Sequence, residues 1–382
     1  MPGIGKSPGG YPAILVIYSG IGITRDGGIC LRAKKRRPKL SGWQWFNLIS
    51  MLIMAGLLWG VVVGNQGIGG LLSRWGSLDL RWMVAAVSCV IGFWILESLV
   101  LHRLISCLYR GVPFHSNMRT AMIGQFYGAI TPFATGGQPM QLIYMHRDGL
   151  DTGGGASVLV IKSVLYQVGV MLMALLSVVT SYRFFREQVP AFGWLATLGF
   201  GINLVVTTGM LLLVVYPRAA RKLYAFCVKA LHFFRIVRDV DAAITKAQTQ
   251  FDIYSESTRR YEKKWDALCG ALVLTVAQLS LLYLVPYMIY RAFGYQEPGV
   301  AMHLVSAVAF VTMVSAFVPL PGGSGGAEGA FLLFFALFFR QPDLLAAMLL
   351  WRLITYYLGM ITGALVMLVS RKRQRAVVRL PL

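Results

Sequence analysis

The sequence predicts an all-α polytopic membrane protein with about six to eight transmembrane helices. Three observations predict this class: 57% of the 382 residues are hydrophobic, only 13% are charged, and the apolar residues form long uncharged runs. An ordinary soluble domain has roughly 25% charged residues. A helix needs about 20 apolar residues to cross a bilayer, and several runs in this chain reach that length.

The strong positive charge, formally +21, fits the same class. In a soluble chain it would indicate a nucleic-acid partner. Here the Lys and Arg residues lie between the apolar runs, as the positive-inside rule predicts, so we expect no nucleic acid among the partners. The cysteines lack the paired spacing of a zinc site or a disulfide framework. We expect free thiols at Cys30, Cys89, Cys107, Cys227 and Cys269.

The first half of the chain begins with a basic segment, residues 1–42, which we expect to be disordered and cytoplasmic. Its apolar stretch 13–23 is too short to span a bilayer. The uncharged run 43–64 is the first predicted span, and as a helix it would be about 33 Å long. Three more spans are predicted at 82–101 with Glu97, at 154–182 with Lys162, and at 191–216 without charge.

A polar segment, residues 217–265, joins the two halves of one predicted transmembrane domain, 43–370. It holds eleven basic and five acidic residues. Its apolar residues Leu223, Phe226, Cys227, Ala230, Leu231 and Phe234 fall on one helical face. This pattern is typical of an amphipathic helix in the cytoplasmic headgroup layer, and a solvated linker packed on the bundle fits it equally well.

The second half, residues 266–370, repeats the pattern of the first half, 43–216. Its apolar runs are 267–290, 299–320, 327–339 and 344–369, the last with Arg352 embedded, and the basic tail 371–382 follows. With 120–145 taken as re-entrant, the segments on one side of the membrane hold 28 Lys and Arg residues and the opposite loops hold six. Both termini are therefore predicted to be cytoplasmic.

Two Gly/Pro-rich breaks interrupt apolar runs, at 131–139 and at 319–329. An unpaired backbone amide in hydrocarbon costs several kcal/mol, so unwound backbone survives there only when it is buried in protein or lines a cavity. Interrupted segments in both halves, approached from opposite faces, indicate an inverted repeat with a site near the midplane. The sequence leaves open whether 120–145 and 303–339 are re-entrant segments or cross the membrane completely.

Charged residues near the second break favour a binding site. The glycines permit positive φ, and freed amides at the start of a helix attract an anion such as a phosphate. Glu328 could pair with Arg352, coordinate a cationic headgroup or take a proton. A close helix crossing that needs small residues is the structural alternative. Glu97 and Lys162 equally fit a structural brace or a functional role.

Signatures of catalysis and metal binding are missing from the sequence. It has no Walker A loop, no nucleophile elbow, no zinc-protease helix and no run of metal-binding carboxylates. His303 has no second ligand at metal spacing and is expected to be an interior histidine. We expect no catalytic residue, no metal and no cofactor in this chain.

Three motifs resemble one known family, the lysylphosphatidylglycerol synthase transmembrane region, which is the flippase-like domain of the multiple peptide resistance factor. The motifs are Thr131-Pro132 with Gly136-Gly137-Gln138-Pro139, then Pro319-x-Pro321-Gly322-Gly323-x-Gly325-Gly326-x-Glu328, then Trp351-Arg352-x-x-x-Tyr356-Tyr357. The similarity covers roughly residues 41–370. The candidate substrate-binding residues are Gly136, Gly137, Gln138, Pro139, Lys162, Pro321, Gly322, Gly323, Gly325, Gly326, Glu328, Arg352 and Tyr356.

The resemblance implies a bacterial inner-membrane protein that moves an anionic, aminoacylated phospholipid such as lysyl-phosphatidylglycerol between leaflets, which affects resistance to cationic peptides. Because thirteen residues follow Val369, we expect the lysine transfer to belong to another chain. Two other functions stay open: the membrane component of an aminoacyl- or glycosyltransferase system, and an ion-coupled transporter of a small solute. The expected partners are a membrane phospholipid and, for the second function, a separate transferase chain; a homodimer is also open.

Overall fold

The computed structural model describes residues 76–190, 192–233, 240–315, 318, 320–370 and 378–379. The predicted first span 43–64 and the basic segment 1–42 lie outside the described residues, as does most of the tail 371–382. The described chain is almost entirely helical, which confirms the predicted fold class.

Five helices are long and apolar enough to cross a membrane, counted over the described residues. Four of them are α1 (Leu80–Ser106), α4 (Thr152–Gln188), α5 (Phe192–Val215) and α8 (Trp265–Ala292). The fifth, Asp343–Val369, includes most of α11 (Gln341–Arg352), then a π-helical turn (Leu353–Tyr357) and α12 (Leu358–Val369). Each matches a predicted span, so five of the predicted spans are confirmed as long apolar helices. Helix α4 extends furthest beyond its predicted span, 154–182, and is 37 residues long.

The remaining elements are shorter. They are β1 (Tyr109–Arg110), α2 (Phe114–Ala129), α3 (Gly137–Arg147), α6 (Pro217–Phe233), α7 (Val240–Glu262), α9 (Val300–Ser315), α10 (Gly326–Phe335) and β2 (Val378–Arg379). The two strands pair antiparallel, and helices α6 and α7 pack against each other. The predicted runs 299–320 and 327–339 correspond to α9 and α10, each of which is too short to be one of the five candidate spans.

Helices α1 and α8 pack against each other along their length and run antiparallel. The backbone N–H of Asp79, the N-cap of α1, donates to the carbonyl of Ala292 at the end of α8. At the other end, the guanidinium of Arg103 donates to the carbonyls of Asp266 and Ala267 in the first turn of α8. The start of each helix therefore lies beside the end of the other.

Helices α2 and α3 form the first hairpin. Its base is closed by Asp148, which follows α3 and accepts hydrogen bonds from Ser116 and Arg119 at the start of α2. The two helices cross closely, because a Cβ added at Gly137 would lie 2.9 Å from the carbonyl oxygen of Gly124. The chain therefore returns to the end at which it left α1, as expected of a re-entrant segment.

Helices α9 and α10 form the second hairpin. Its base is closed where the hydroxyl of Tyr295, before α9, donates to Asp343 at 2.7 Å, near the start of α11. The segment thus turns back rather than crossing. Because this hairpin follows α8, and the first follows the antiparallel α1, the two hairpins enter the bundle from opposite ends. The described residues have the architecture of an inverted repeat.

Aromatic side chains fix the second hairpin against the long helices. Phe310 of α9 and Phe334 of α10 pack on Phe185 of α4 and Phe192 of α5, with ring centroids 4.7–6.4 Å apart. All four side chains are almost completely buried. Close aromatic packing of this kind adds about 0.5–1.5 kcal/mol per pair to simple burial, so the hairpin is held rigidly behind its tip.

Candidate functional site

The tips of the two hairpins meet each other. Residues 130–136 connect α2 to α3, and residues 320–325 form the described part of the connection from α9 to α10 that leads directly into α10. Pro132 of the first tip and Pro321 of the second tip form an antiparallel β-bridge. The two Gly/Pro breaks, distant in sequence, therefore form one site.

Both tips have the same local fold. In the first, the hydroxyl of Thr135 donates to the carbonyl of Pro132 at 2.9 Å; in the second, the hydroxyl of Ser324 donates to the carbonyl of Pro321 at 2.7 Å. The backbone N–H groups of Thr135 and Ser324 bond to the same two carbonyls. A short hydroxyl residue three positions after the proline thus closes each turn.

Left-handed backbone follows the proline in both tips. Gly322 and Gly323 each have φ of +63°, and the equivalent residues Phe133 and Ala134 have φ of +51° and +55°. Residues with a Cβ pay roughly 1–2 kcal/mol for this conformation, whereas glycine adopts it freely. The first tip therefore stores strain that the second avoids. Such strain is concentrated at functional sites in proteins.

A buried ion pair lies behind the second tip. Nε of Arg352 lies 2.8 Å from Oε1 of Glu328, and the two side chains are only 7% and 12% exposed. Nη1 of Arg352 also donates to the carbonyl of Gly322 at 3.1 Å. The other carboxylate oxygen of Glu328 accepts the backbone N–H of Gly325 at 2.7 Å, which caps the start of α10. The pair therefore fixes the glycine loop.

Arg352 retains unused hydrogen-bonding capacity. Nε faces the carboxylate of Glu328, whereas Nη2 is buried and has no hydrogen-bond partner among the described residues. Buried donors in proteins are nearly always paired. Nη2 of the guanidinium is therefore available to a ligand oxygen at the site.

Tyr356 joins the two hairpins. It lies in the π-helical turn that follows Arg352, and turns of this kind occur often at functional sites. Its hydroxyl donates at 2.8 Å to the carbonyl of Ala129, the last residue of α2. Its ring covers Gly322, where an added Cβ would lie 2.3 Å from the ring carbon Cε2. The Arg352 guanidinium lies 5.6 Å from the ring centroid.

The first tip has a neutral polar pair where the second has a charged one. Nε2 of Gln138, in the first turn of α3, donates to the hydroxyl of Ser163 in α4 at 2.8 Å. The N–H of Gly136 is bonded to the hydroxyl of Thr131 at 2.8 Å. Pro139 lies in the same first turn of α3. Gly136, Gln138 and Pro139 thus lie at the first tip or in the helical turn that follows it, and none of them carries a charge.

Lys162 belongs to a second ion pair, separate from that of Arg352. Its ammonium group is 2.6 Å from Oε1 of Glu97, and Oε2 of Glu97 accepts a hydrogen bond from Gln125 at 2.6 Å. The sequence left Glu97 and Lys162 open between a structural brace and a functional role, and the structure pairs the two side chains. Gln125 was not anticipated, because a glutamine in an uncharged run gives no sequence signal. Lys162 precedes Ser163, whose hydroxyl accepts the hydrogen bond from Gln138 of α3.

His303 has the interior role that was expected of it. Its ring nitrogen is within 2.9 Å of the Ser181 hydroxyl, and its ring stacks on Phe184 at 4.3 Å. Within the described residues, no group of three or more His, Cys, Asp or Glu side chains is arranged to hold a metal ion.

Two helical hairpins that enter from opposite ends, with unwound tips in contact, define a multi-pass membrane protein built as an inverted repeat. The chain belongs to the family described as the lysylphosphatidylglycerol synthase TM region, which matches residues 47–363 and so includes both tips. It is similar to a UPF0104 membrane protein of Archaeoglobus fulgidus, with 26% identity over 302 residues, covering 75% of this chain and 86% of that protein.

Proposed function

We propose that this protein translocates a phospholipid with a phosphodiester headgroup, such as phosphatidylglycerol or its aminoacylated form, between the two leaflets of the membrane. The single observation that carries the proposal is the buried Arg352 guanidinium at the junction of the two hairpin tips, whose Nη2 has no acceptor among the described residues. A phosphodiester supplies oxygens that match an arginine in charge and geometry.

Arg352, rather than the glycine loop, is the proposed anion ligand. In the second tip the backbone N–H groups of Gly323, Ser324 and Gly325 already have acceptors within the loop or on Glu328. This differs from the expectation that freed loop amides would bind a phosphate. The role left to the glycines is to bring the loop carbonyl of Gly322 against Arg352, which positions the guanidinium.

Glu328 is proposed to balance the charge of Arg352 when no lipid is bound. An isolated buried charge costs free energy, and pairing with Glu328 reduces that cost for Arg352. A bound anion can take over this role of Glu328. A phosphate that binds Nη2 and shares the charge of Arg352 would leave the carboxylate to interact with a cationic part of an aminoacylated headgroup. The inverted repeat supports alternate access to this site from either side.

Translocation is tested with the purified protein in liposomes, by following headgroup-labelled phosphatidylglycerol and its lysyl form. We expect transfer of an anionic lipid that is lost in Arg352→Ala and reduced in Glu328→Gln. The matched control is Arg183→Ala, which removes an arginine from an exposed ion pair with Glu187. No movement of either lipid by a folded protein, or movement unaffected by Arg352→Ala, would contradict the proposal.

A further inference from the structure

Helix α6 has an apolar side that no other described element covers. The helix begins at Pro217, two residues after the span α5 ends. Leu223 is 48% exposed and Phe226 is 69% exposed, which is comparable to the 53% exposure of Val215 in the adjoining span. Large apolar side chains with this exposure next to a membrane span require an apolar environment of their own.

The packing of α6 on α7 uses a different side of the helix. Tyr224 stacks edge-on against Phe251 at 5.2 Å, and Arg221 forms an ion pair with Asp252 at 3.2 Å. Val228, on the same side as Tyr224, is 4% exposed. The contact with α7 therefore leaves the side with Leu223 and Phe226 free.

Basic residues occupy the third side of α6. Arg218, Lys222 and Lys229 are all exposed, and with 3.6 residues per turn they fall on one arc next to the arc of Leu223 and Phe226. The helix thus presents an apolar strip bordered by positive charge. This arrangement is typical of helices that lie in a headgroup layer, and it is unlike a solvated linker.

The hairpin of α6 and α7 is fixed at the level where three membrane spans end. Helix α7 is bonded at 2.8 Å to the end of α5, the start of α4 and the end of α1, through Tyr254 with Leu213, Gln250 with Gly153, and Tyr261 with Leu104. Span ends lie at the membrane–water interface. Helix α6 is therefore held at the height of the lipid headgroups.

We propose that α6 binds the headgroup layer of an anionic leaflet, with Leu223 and Phe226 inserted among the upper acyl chains and Arg218, Lys222 and Lys229 at lipid phosphates. Charge complementarity and the continuity of α6 with the span α5 select a lipid surface over a protein partner. The inference concerns a surface at the end of the bundle and does not rest on the proposed translocation.

The test places a nitroxide on the full-length protein in vesicles that contain phosphatidylglycerol, at Phe226→Cys in a variant without the native cysteines. The rate at which the nitroxide collides with oxygen, which enters hydrocarbon, is compared with the rate at which it collides with a water-soluble nickel complex. We expect oxygen to dominate at position 226 and the nickel complex to dominate at the control position Lys222→Cys. Adding Arg218→Glu and Lys229→Glu should reduce the oxygen preference at 226 several-fold, as should vesicles of phosphatidylcholine alone.

Two results would overturn the inference. Nickel collisions at 226 equal to those at 222 would show a solvated helix, and low collisions with both reagents would show that a second copy or another protein covers this side. Because the substituted charges are exposed, the variants are expected to keep their thermal unfolding temperature, which is measured on the same samples. A lipid-independent oxygen preference would also contradict the charge-selective part of the proposal.

Discussion

Pro132 and Pro321 lie 189 residues apart in the chain and form an antiparallel bridge where the two hairpin tips meet. The bridge joins the two halves of the inverted repeat at the non-helical tips of the two hairpins. A headgroup that crosses between the tips must separate these two residues. The proposed translocation therefore predicts that this contact breaks and reforms as a lipid passes.

A disulfide between the tips is predicted to stop translocation. Residues directly opposite one another in an antiparallel pair have Cα atoms about 4.5–5.5 Å apart, which lies within the range for a disulfide. We expect Pro132→Cys with Pro321→Cys, in a variant without native cysteines, to cross-link under mild oxidation and to lose lipid transfer. Reductant should restore transfer, and each single variant serves as a control. Full transfer in the cross-linked protein would exclude separation of the tips.

Arg352→Ala is predicted to cost stability as well as activity, because it leaves the carboxylate of Glu328 buried without its cation. Loss of one partner of a buried pair costs about 3–5 kcal/mol. The double variant with Glu328→Ala should recover much of this loss in thermal unfolding but none of the lipid transfer. Recovery of transfer in the double variant would show that the pair serves folding alone.

Alanine at Gly322 and Gly323 is predicted to destabilise the second tip. Both glycines have φ of +63°, which costs a residue with a Cβ about 1–2 kcal/mol, and at Gly322 the added carbon would also collide with Tyr356. Thermal unfolding and lipid transfer measure the effect. Gly329→Ala is the matched control: it lies in α10 with nothing within 4 Å of an added Cβ, and it should be neutral or slightly stabilising. Equal behaviour of the two variants would contradict the assigned role of the tip.

The sequence predicted the spans and both breaks, because hydrophobicity and Gly/Pro content are local properties. Contacts between the halves could not be predicted in this way. The bridge between the tips and the hydrogen bond from Tyr356 to Ala129 join residues far apart in the chain. The left-handed conformation of Phe133 and Ala134 also had no signal, since neither residue favours it and only the folded tip imposes it.

Charged residues in the spans marked the site, but their partners had to be observed. Glu328 was open to three roles from sequence, and the structure shows its pairing with Arg352. Glu97 and Lys162 had two equal alternatives because they lie 65 positions apart on different helices. The sequence does not say how those two helices are aligned, so it cannot show whether the two side chains meet. The structure shows the pair and adds Gln125 from a third helix.

Lys162 is predicted to act as a brace between α1 and α4 rather than as a lipid ligand. Both oxygens of Glu97 are bonded, to Lys162 and Gln125, so Lys162→Met alone should leave a buried, unbalanced carboxylate and cost about 3–5 kcal/mol. Adding Glu97→Gln removes that charge, keeps an acceptor for Gln125, and should restore both the unfolding temperature and lipid transfer. A double variant that folds normally and transfers no lipid would instead assign Lys162 to the headgroup.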